Sequence, residues 1–131
     1  MNAGADHAKV AILIVEDEPS LAELMRTVVD DVDGWSATVA HDAVAARALF
    51  QQVKIEVLVL DINLPGITGL ELLELLRTDE TWADQPIIVV SAVADQDRWQ
   101  APLQHARPSA ILSKPFELDE LTAAIGAVLR S

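Results

Sequence analysis

The chain has 131 residues and carries 9 Lys and Arg against 21 Asp and Glu, so its formal net charge is −12 at pH 7. This length fits one domain with a core of its own, and the negative charge argues against direct binding to nucleic acid or to an anionic membrane surface. The sequence contains no cysteine, which excludes disulfides, thiolate nucleophiles and cysteine-ligated zinc.

Five short aliphatic segments predict β-strands, at residues 10–15, 36–40, 57–60, 87–90 and 110–112. Four of the five are nearly uninterrupted apolar runs, which is typical of parallel strands covered on both faces. The first run leads directly into three acidic residues and is too short for a signal peptide or a membrane span. We therefore expect a cytoplasmic protein that does not associate with a membrane.

Helical periodicity fills the segments between the first three strands. The first helix is predicted to begin at Pro19 and to end near Gly34, with an inward stripe formed by Leu21, Leu24, Met25, Val28, Val29 and Val32. A second helix is predicted over residues 43–53, with Asp42 as its N-cap. Its inward residues are predicted to be Val44, Ala48 and Leu49.

The second half of the chain predicts further helices of unequal regularity. One covers residues 70–76, and the last covers residues 118–129, with Leu121, Ile125 and Val128 facing inward. Between residues 95 and 105 the apolar pattern is thin and Pro102 interrupts it, so we expect a short or irregular helix and local mobility there.

This alternation of strands and helices predicts one α/β domain, with a doubly wound five-stranded parallel sheet and helices on both faces. We expect residues 1–8 to form a flexible lead, residues 9–131 to form the domain, and no output domain to be present on this chain. In sheets of this kind, ligands bind beyond the carboxyl ends of the strands. We therefore expect the functional site at that edge.

Polar residues follow four of the five predicted strands. Glu16 and Asp17 follow the first, Asp61 the third, Ser91 the fourth, and Lys114 stands shortly after the fifth. Because neighbouring strand ends lie only a few ångströms apart, these side chains should converge. The sequence therefore predicts a cleft that contains three carboxylates, a hydroxyl and an ammonium group.

Three carboxylates in one cleft need positive charge nearby. Two of them about 4 Å apart repel by roughly 4 kcal/mol at a surface-like dielectric. Lys114 supplies one positive charge, and Mg²⁺ suits an all-oxygen site with few protein ligands. Such a site would prepare one carboxylate for phosphoryl transfer.

Four segments in this order and spacing resemble the receiver domain of two-component response regulators, as in the chemotaxis regulators. They are ILIVEDEP from Ile12, LDINLPG from Leu60 together with Gly69, VSA from Val90, and SKPF from Ser113. The resemblance covers roughly residues 9–130. It implies a flavodoxin-like fold with strand order 2-1-3-4-5 and a phosphoprotein that acts as a conformational or docking switch.

The resemblance also assigns roles to the acidic residues. Asp61 would be the phosphoacceptor, which receives its phosphoryl group from a phosphohistidine of a sensor kinase or a histidine phosphotransfer protein. Asp17 and Asp61 would bind Mg²⁺ directly, Glu16 would bind it through water, and the backbone carbonyl of Asn63 would add a ligand. The phosphoryl group would be lost by slow hydrolysis, so the protein is not expected to be an enzyme in the ordinary sense.

The remaining site residues would contact the phosphoryl group or control access to it. Lys114 would bind a phosphoryl oxygen, the Ser91 hydroxyl would turn to donate to it, and the small Ala92 would leave it approachable. The resemblance also implies a cis peptide bond before Pro115. The position where receivers commonly carry a switching aromatic is Ile111, so we expect a weak or nonstandard conformational switch.

Two other functions compete with this interpretation. A haloacid-dehalogenase-type phosphatase also uses an Asp after a strand, but it needs a second Asp two residues later, where this chain has Asn63. A pseudo-receiver that only binds partners usually lacks the Asp or the Lys, and both are present here. Beside the kinase or phosphotransfer protein, the resemblance implies a downstream docking protein as a partner.

Overall fold

A computed structural model describes residues 9–64, 68–92, 101–104 and 106–131. Its elements in chain order are β1 (Val10–Val15), α1 (Pro19–Asp30), β2 (Trp35–Ala40), α2 (Ala43–Gln52), β3 (Val57–Asp61), α3 (Gly69–Thr78), β4 (Ile87–Ala92), β5 (Ala110–Lys114) and a C-terminal helix (Leu118–Arg130). Residues 101–104 and 106 are also helical. The predicted alternation of strands and helices is therefore confirmed.

All five strands belong to one parallel sheet in the order β2-β1-β3-β4-β5. This is the order that the family resemblance implies. β3 lies at the centre and is buried along its whole length, which explains its uninterrupted apolar sequence. β2 lies at one edge and alternates between more and less buried positions, which explains the polar residues in its sequence. β5 forms the opposite edge.

The side chains of the strands divide into two core layers because successive residues point to opposite faces of a sheet. One layer packs beneath α2, α3 and the helical residues around Leu103. The other packs beneath α1 and the C-terminal helix. The helices thus cover both faces, as expected for a doubly wound fold.

α1 begins at Pro19 as predicted but ends at Asp30, before the turn at Gly34. Its buried residues are Ala22, Met25 and Val29. Leu24 was predicted to face inward, but its side chain is 54% exposed. Each helical residue turns the side chain by about 100°, so Leu24 lies well away from the buried stripe although its neighbour Met25 is at the centre of it.

α2 confirms its predicted cap but only one of its three predicted inward residues. The side chain of Asp42 accepts a hydrogen bond from the Ala45 backbone N–H at 2.8 Å. Val44 is 68% exposed, Ala48 is exposed and Leu49 is half-buried, whereas the buried residues are Ala43, Ala46 and Phe50. The prediction was wrong for Val44 and Ala48, because this helix is apolar on several faces and its small alanines permit close packing on the sheet around one large ring. Leu49 packs partly buried against the core.

The last two helices agree more closely with the sequence. α3 is longer than predicted at both ends and begins with a capping box between Thr68 and Glu71. In the C-terminal helix Leu121 and Ile125 are buried, and Val128 packs half-buried beside them. The predicted mobility between residues 95 and 105 falls largely outside the described residues. Within the described part of the chain, no helix is long and apolar enough to cross a membrane.

Candidate functional site

The carboxyl edge of the sheet brings together the side chains that the sequence singled out. Asp61 ends β3, Lys114 ends β5, and Glu16 follows β1 directly. Glu16, Asp17 and Asp61 each contribute one carboxylate oxygen, and these three oxygens lie within 4.8 Å of one another. We call these three residues the acidic cluster.

The acidic cluster is buried on one side and open on the other. Glu16 is 1% exposed and Asp61 is 5% exposed, whereas Asp17 is exposed. Both buried acids lie at the carboxyl ends of interior strands. A small ligand can therefore reach the cluster from the side of Asp17.

Lys114 connects two members of the acidic cluster. Its Nζ lies 3.0 Å from Glu16 Oε1 and 3.0 Å from Asp61 Oδ2. The contact with Asp61 is a hydrogen bond. The cluster and Lys114 together hold three negative charges and one positive charge, so a net charge of about −2 remains when all four groups are ionised.

The carboxylate of Asp61 is fixed from both sides. Its Oδ1 accepts a hydrogen bond from the Asn63 backbone N–H at 2.9 Å, and its Oδ2 accepts from Lys114. Behind it, the Gly69 N–H donates to the Ile62 carbonyl at 3.0 Å. A Cβ on Gly69 would lie 2.3 Å from the Asp61 carbonyl oxygen, so this approach requires glycine.

Burial and neighbouring charges shift the pKa values of two groups at the site, Glu16 and Lys114. Burial raises the pKa of Glu16, and the neighbouring Asp61 raises it further, while Lys114 and the Glu18 N–H act in the opposite direction. Burial alone would lower the pKa of Lys114, but its contacts with Glu16 and Asp61 outweigh burial and raise it. Lys114 is therefore positively charged at neutral pH.

Ser91 and Ala92 lie at the end of β4, between the strands that carry Asp61 and Lys114. Ser91 is 1% exposed, and its Oγ donates to the Ala92 carbonyl at 3.4 Å. Ala92 pairs with Lys114 in the register of β4 and β5. The peptide bond between Lys114 and Pro115 is cis, as the family resemblance implies. Ile111 is 50% exposed on β5.

One contact at this edge was missed by the sequence analysis. His41 is exposed. Its Nδ1 nevertheless lies 3.1 Å from the Glu16 carbonyl oxygen. The strand register explains the contact, because Val15 pairs with Ala40 and the next residues of both strands are therefore neighbours. His7 and His105 lie outside the described residues.

The donor set of the acidic cluster fits a hard divalent cation. It offers oxygen atoms alone, carries net negative charge after the ion pair with Lys114, and is open on the side of Asp17. Mg²⁺ prefers such sites because it binds one or two carboxylates and keeps several waters. The residues present therefore suit magnesium.

The fold is that of the chemotaxis response regulators. The structure matches that of the chemotaxis response regulator CheY4 of Vibrio cholerae with a TM-score of 0.83 over 92% of this chain and 98% of that one, at 23% sequence identity. It also matches a putative response regulator from Chloroflexus aurantiacus with a TM-score of 0.82 and 27% identity, over 94% of this chain and 99% of that one.

The sequence itself places the chain in one family. Residues 12–126 match the response regulator receiver domain, and the chain belongs to that family. It is 35% identical over 96% of its length to the transcriptional regulatory protein TrcR of Mycobacterium tuberculosis. It is 34% identical over 91% of its length to the phosphate regulon transcriptional regulatory protein PhoB of Pseudomonas aeruginosa. The chain spans about half the length of these relatives, namely 48% and 51%.

Membership of this family identifies the chain as a signalling domain of two-component systems rather than an enzyme of the usual kind. The phosphatase alternative loses its support, since the match extends across nearly the whole domain and includes all the elements that carry the acidic cluster.

Proposed function

We propose that this domain accepts a phosphoryl group on Asp61 from a phosphohistidine of a sensor kinase or a histidine phosphotransfer protein. The observation that carries the proposal is the position of the Asp61 carboxylate. It lies at the carboxyl edge of the central strand, beside two further carboxylates and 3.0 Å from the ammonium of Lys114. An acid that is fixed in this way is oriented for in-line attack on phosphorus.

The covalent step of the transfer joins Asp61 and the donor. One carboxylate oxygen of Asp61 attacks phosphorus while the bond between phosphorus and the donor imidazole nitrogen breaks. The electron pair of that bond leaves with the imidazole, and Asp61 becomes an acyl phosphate. Lys114 binds the transferred group and offsets the charge on its oxygens. Water later attacks the acyl phosphate and releases inorganic phosphate slowly.

We assign the magnesium ligands from the acidic cluster and the residue beside it. Asp17 and Asp61 hold the ion directly, Glu16 acts through water, and the Asn63 backbone carbonyl adds a ligand. When it is bound, Mg²⁺ neutralises charge that gathers on the phosphoryl oxygens during transfer. The support for this assignment is the spacing of the three carboxylates within 4.8 Å.

We also assign Ser91 as the group that responds to the phosphoryl group. Its buried hydroxyl lies on the strand between Asp61 and Lys114, where rotation about χ1 would exchange its present acceptor for a phosphoryl oxygen. Ala92 leaves room for the donor and for water, because a methyl group is the smallest side chain with a Cβ. A larger residue at this position should lengthen the lifetime of the acyl phosphate.

The first test is phosphorylation by acetyl phosphate with Mg²⁺, measured by the mass of the intact protein. We expect the wild-type chain to gain one phosphoryl group. Asp61→Asn should abolish the gain because an amide cannot attack phosphorus as a carboxylate does. Asp33→Asn, the same change in an exposed turn, should be labelled like the wild type.

Two results would contradict the proposal. If Asp61→Asn is still labelled at wild-type rate, Asp61 is not the phosphoacceptor. If the wild-type chain takes up no phosphoryl group although it binds Mg²⁺, the domain acts as a pseudo-receiver that only binds partners. Steady hydrolysis of a small phosphate ester by the wild-type chain would instead favour the phosphatase alternative.

The output of the protein also belongs to the proposal. The matched relatives include a protein named as a DNA-binding dual master transcriptional regulator, RpaA of Synechocystis, at 32% identity. This domain spans about half the length of that relative. We propose that the domain itself signals by docking to a protein partner. The net charge of −12 continues to predict that the chain itself binds no nucleic acid directly.

A further inference from the structure

The side chain of Arg77, near the end of α3, joins two segments that are far apart in sequence. Its Nη1 donates to the carbonyls of Ala83 at 3.2 Å and Gln85 at 2.8 Å. Its Nε donates to the Ala106 carbonyl at 3.0 Å, and its Nη2 donates to the Arg107 carbonyl at 3.2 Å. One guanidinium group therefore hydrogen-bonds four backbone carbonyls.

These carbonyls belong to the segments that lead into β4 and β5. Gln85 stands two residues before β4, and Arg107 stands three residues before β5. Arg107 has a φ of 54°, an unusual conformation for a residue with a side chain. Its N–H donates to the Leu103 carbonyl, so it closes the preceding helical turn. Arg77 thus holds a strained turn at the amino end of the edge strand.

A second contact joins the same two strands at the same end. The Ser109 N–H donates to the Ile87 carbonyl at 2.7 Å. In return the Ile87 N–H donates to Ser109 Oγ at 3.1 Å. Arg77 and Ser109 together connect the amino ends of β4 and β5. The acidic cluster lies at the opposite, carboxyl ends of the strands.

The position of β5 decides where Lys114 lies. β5 is an edge strand of five residues, and it pairs with β4 alone in the described sheet. Its register sets Lys114 opposite Ala92. A slip by one residue would move each Cα by about 3.3 Å and turn its side chain to the other face of the sheet. Lys114 would then lose its contacts with Glu16 and Asp61.

We propose that Arg77 is a positioning residue, which fixes β5 against β4 and so places the Lys114 ammonium beside Asp61 at the far end of the strand. The proposal rests on the proposed function of that site. Arg77 suits the task because its planar group presents five donors in a fixed arrangement, whereas lysine presents three from one nitrogen. Arg77 itself touches none of the reacting atoms in this account.

The test compares two ligands whose binding depends on residues of different strands. Mg²⁺ binds the acids that lie at the ends of β1 and β3. Beryllofluoride, which imitates a phosphoryl group on the phosphoacceptor, also needs Lys114 on β5. Both affinities are measured by isothermal titration calorimetry, with beryllofluoride added at saturating Mg²⁺. The proteins are the wild type, Arg77→Met and, as a matched control at an exposed arginine of α2, Arg47→Met.

We expect Arg77→Met to bind beryllofluoride roughly tenfold more weakly, as when one charge-assisted hydrogen bond is lost. Its Mg²⁺ affinity should be equal to that of the wild type or higher, because an ammonium that has moved away no longer repels the cation. Arg47→Met should match the wild type for both ligands. Lys114→Ala should likewise bind beryllofluoride more weakly, with a Mg²⁺ affinity equal to that of the wild type or higher. The double variant Arg77→Met/Lys114→Ala should bind beryllofluoride as weakly as Lys114→Ala alone.

Several results would overturn the inference. Equal beryllofluoride affinity in Arg77→Met and the wild type would do so. A parallel loss of Mg²⁺ and beryllofluoride affinity in Arg77→Met would also overturn the inference, because such a loss indicates general loss of structure. If circular dichroism shows that Arg77→Met does not fold, Arg77→Lys is measured instead, under the same criteria and with an expected loss of a few fold. A wild-type chain that binds Mg²⁺ but no beryllofluoride contradicts the proposed function itself.

Discussion

Glu16 carries the most deeply buried charge of the acidic cluster. Its carboxylate is 1% exposed and lies beside Asp61 as well as Lys114. Burial raises its pKa in the folded protein. A carboxyl group with a raised folded-state pKa adds stability below its unfolded pKa, and this contribution is lost as the pH rises through the folded pKa. Ionised Glu16 therefore lowers the stability of the metal-free domain at neutral pH.

Removal of this charge should have opposite effects on stability and on metal binding. We expect Glu16→Gln to raise the free energy of unfolding in EDTA at pH 7, as measured by urea denaturation. The gain should shrink as the pH falls through the raised folded-state pKa of Glu16, and it should be gone below about pH 4.5, the ordinary value of the group. Magnesium affinity should fall at least about tenfold, as for an outer ligand. Glu74→Gln, at an exposed position of α3, serves as the control. A fall in the stability of metal-free Glu16→Gln would contradict this account.

The sequence could identify the acidic residues and Lys114 because each follows a strand in a recognisable motif. It could not identify Arg77 or His41 in the same way. Arg77 contacts carbonyls that lie six to thirty residues further along the chain, and His41 contacts a carbonyl 25 residues earlier. Backbone carbonyls carry no side-chain signature, so such contacts become visible only when the register of the strands is known.

The start of α3 is the element that supports Asp61 from behind. The helix begins at Gly69, directly after the capping box at Thr68, and its first residue packs on the backbone of Asp61. A Cβ at Gly69 would lie 2.5 Å from the Ile62 Cα in addition to its clash with the Asp61 carbonyl. Both contacts are with backbone atoms, which cannot rotate away.

We expect Gly69→Ala to destabilise the domain by about 1–3 kcal/mol, as is usual for overpacking, and to slow labelling by acetyl phosphate because Asp61 is displaced. Urea denaturation and intact mass measure the two effects. Gly126→Ala provides the comparison, since its Cβ would meet only the far end of the Arg130 side chain, at 3.2 Å. That variant should gain up to about 1 kcal/mol from helix propensity. If Gly69→Ala is as stable as the wild type, α3 does not constrain Asp61.

The helices show where an apolar pattern is informative and where it is not. In the C-terminal helix, only Thr122 and two alanines lie between Leu121 and Ile125, so the large apolar residues mark one face and that face could be predicted. In α2 the sequence is largely apolar all around, and the choice of Val44 as an inward residue was wrong. Small residues such as Ala46 were buried instead because they let the helix lie close to the sheet, a preference that hydrophobicity alone does not express.

At the scale of the whole molecule, the charge of −12 and the acidic cluster predict that magnesium stabilises the fold. A ligand that binds only the folded state adds about 2.7 kcal/mol at a concentration of 100 times its Kd. For a domain of this size that corresponds to a rise in Tm of about 8 °C. Differential scanning calorimetry with Mg²⁺ or EDTA measures the rise.

The control is KCl at the same ionic strength, because salt also screens the general repulsion among the acidic residues. A second control is Asp17→Asn, which should lose most of the effect of Mg²⁺ while its response to KCl remains. If KCl raises the Tm of the wild-type chain as much as Mg²⁺ does, the stabilisation is a general screening effect and the cluster does not bind the ion.

The ion pairs of Lys114 have a thermodynamic consequence for the edge of the sheet. Lys114 lies on β5, yet its ammonium contacts residues of β1 and β3, with β4 in between. By linkage, any change of charge on those acids alters the free energy that is needed to detach the edge strand, and detachment alters the charge on the acids equally. Ile111, half exposed on the surface, stands only three residues away on the same strand. The charge state of the cluster is therefore coupled to an outward surface along one short strand, and this coupling requires no rotating aromatic ring.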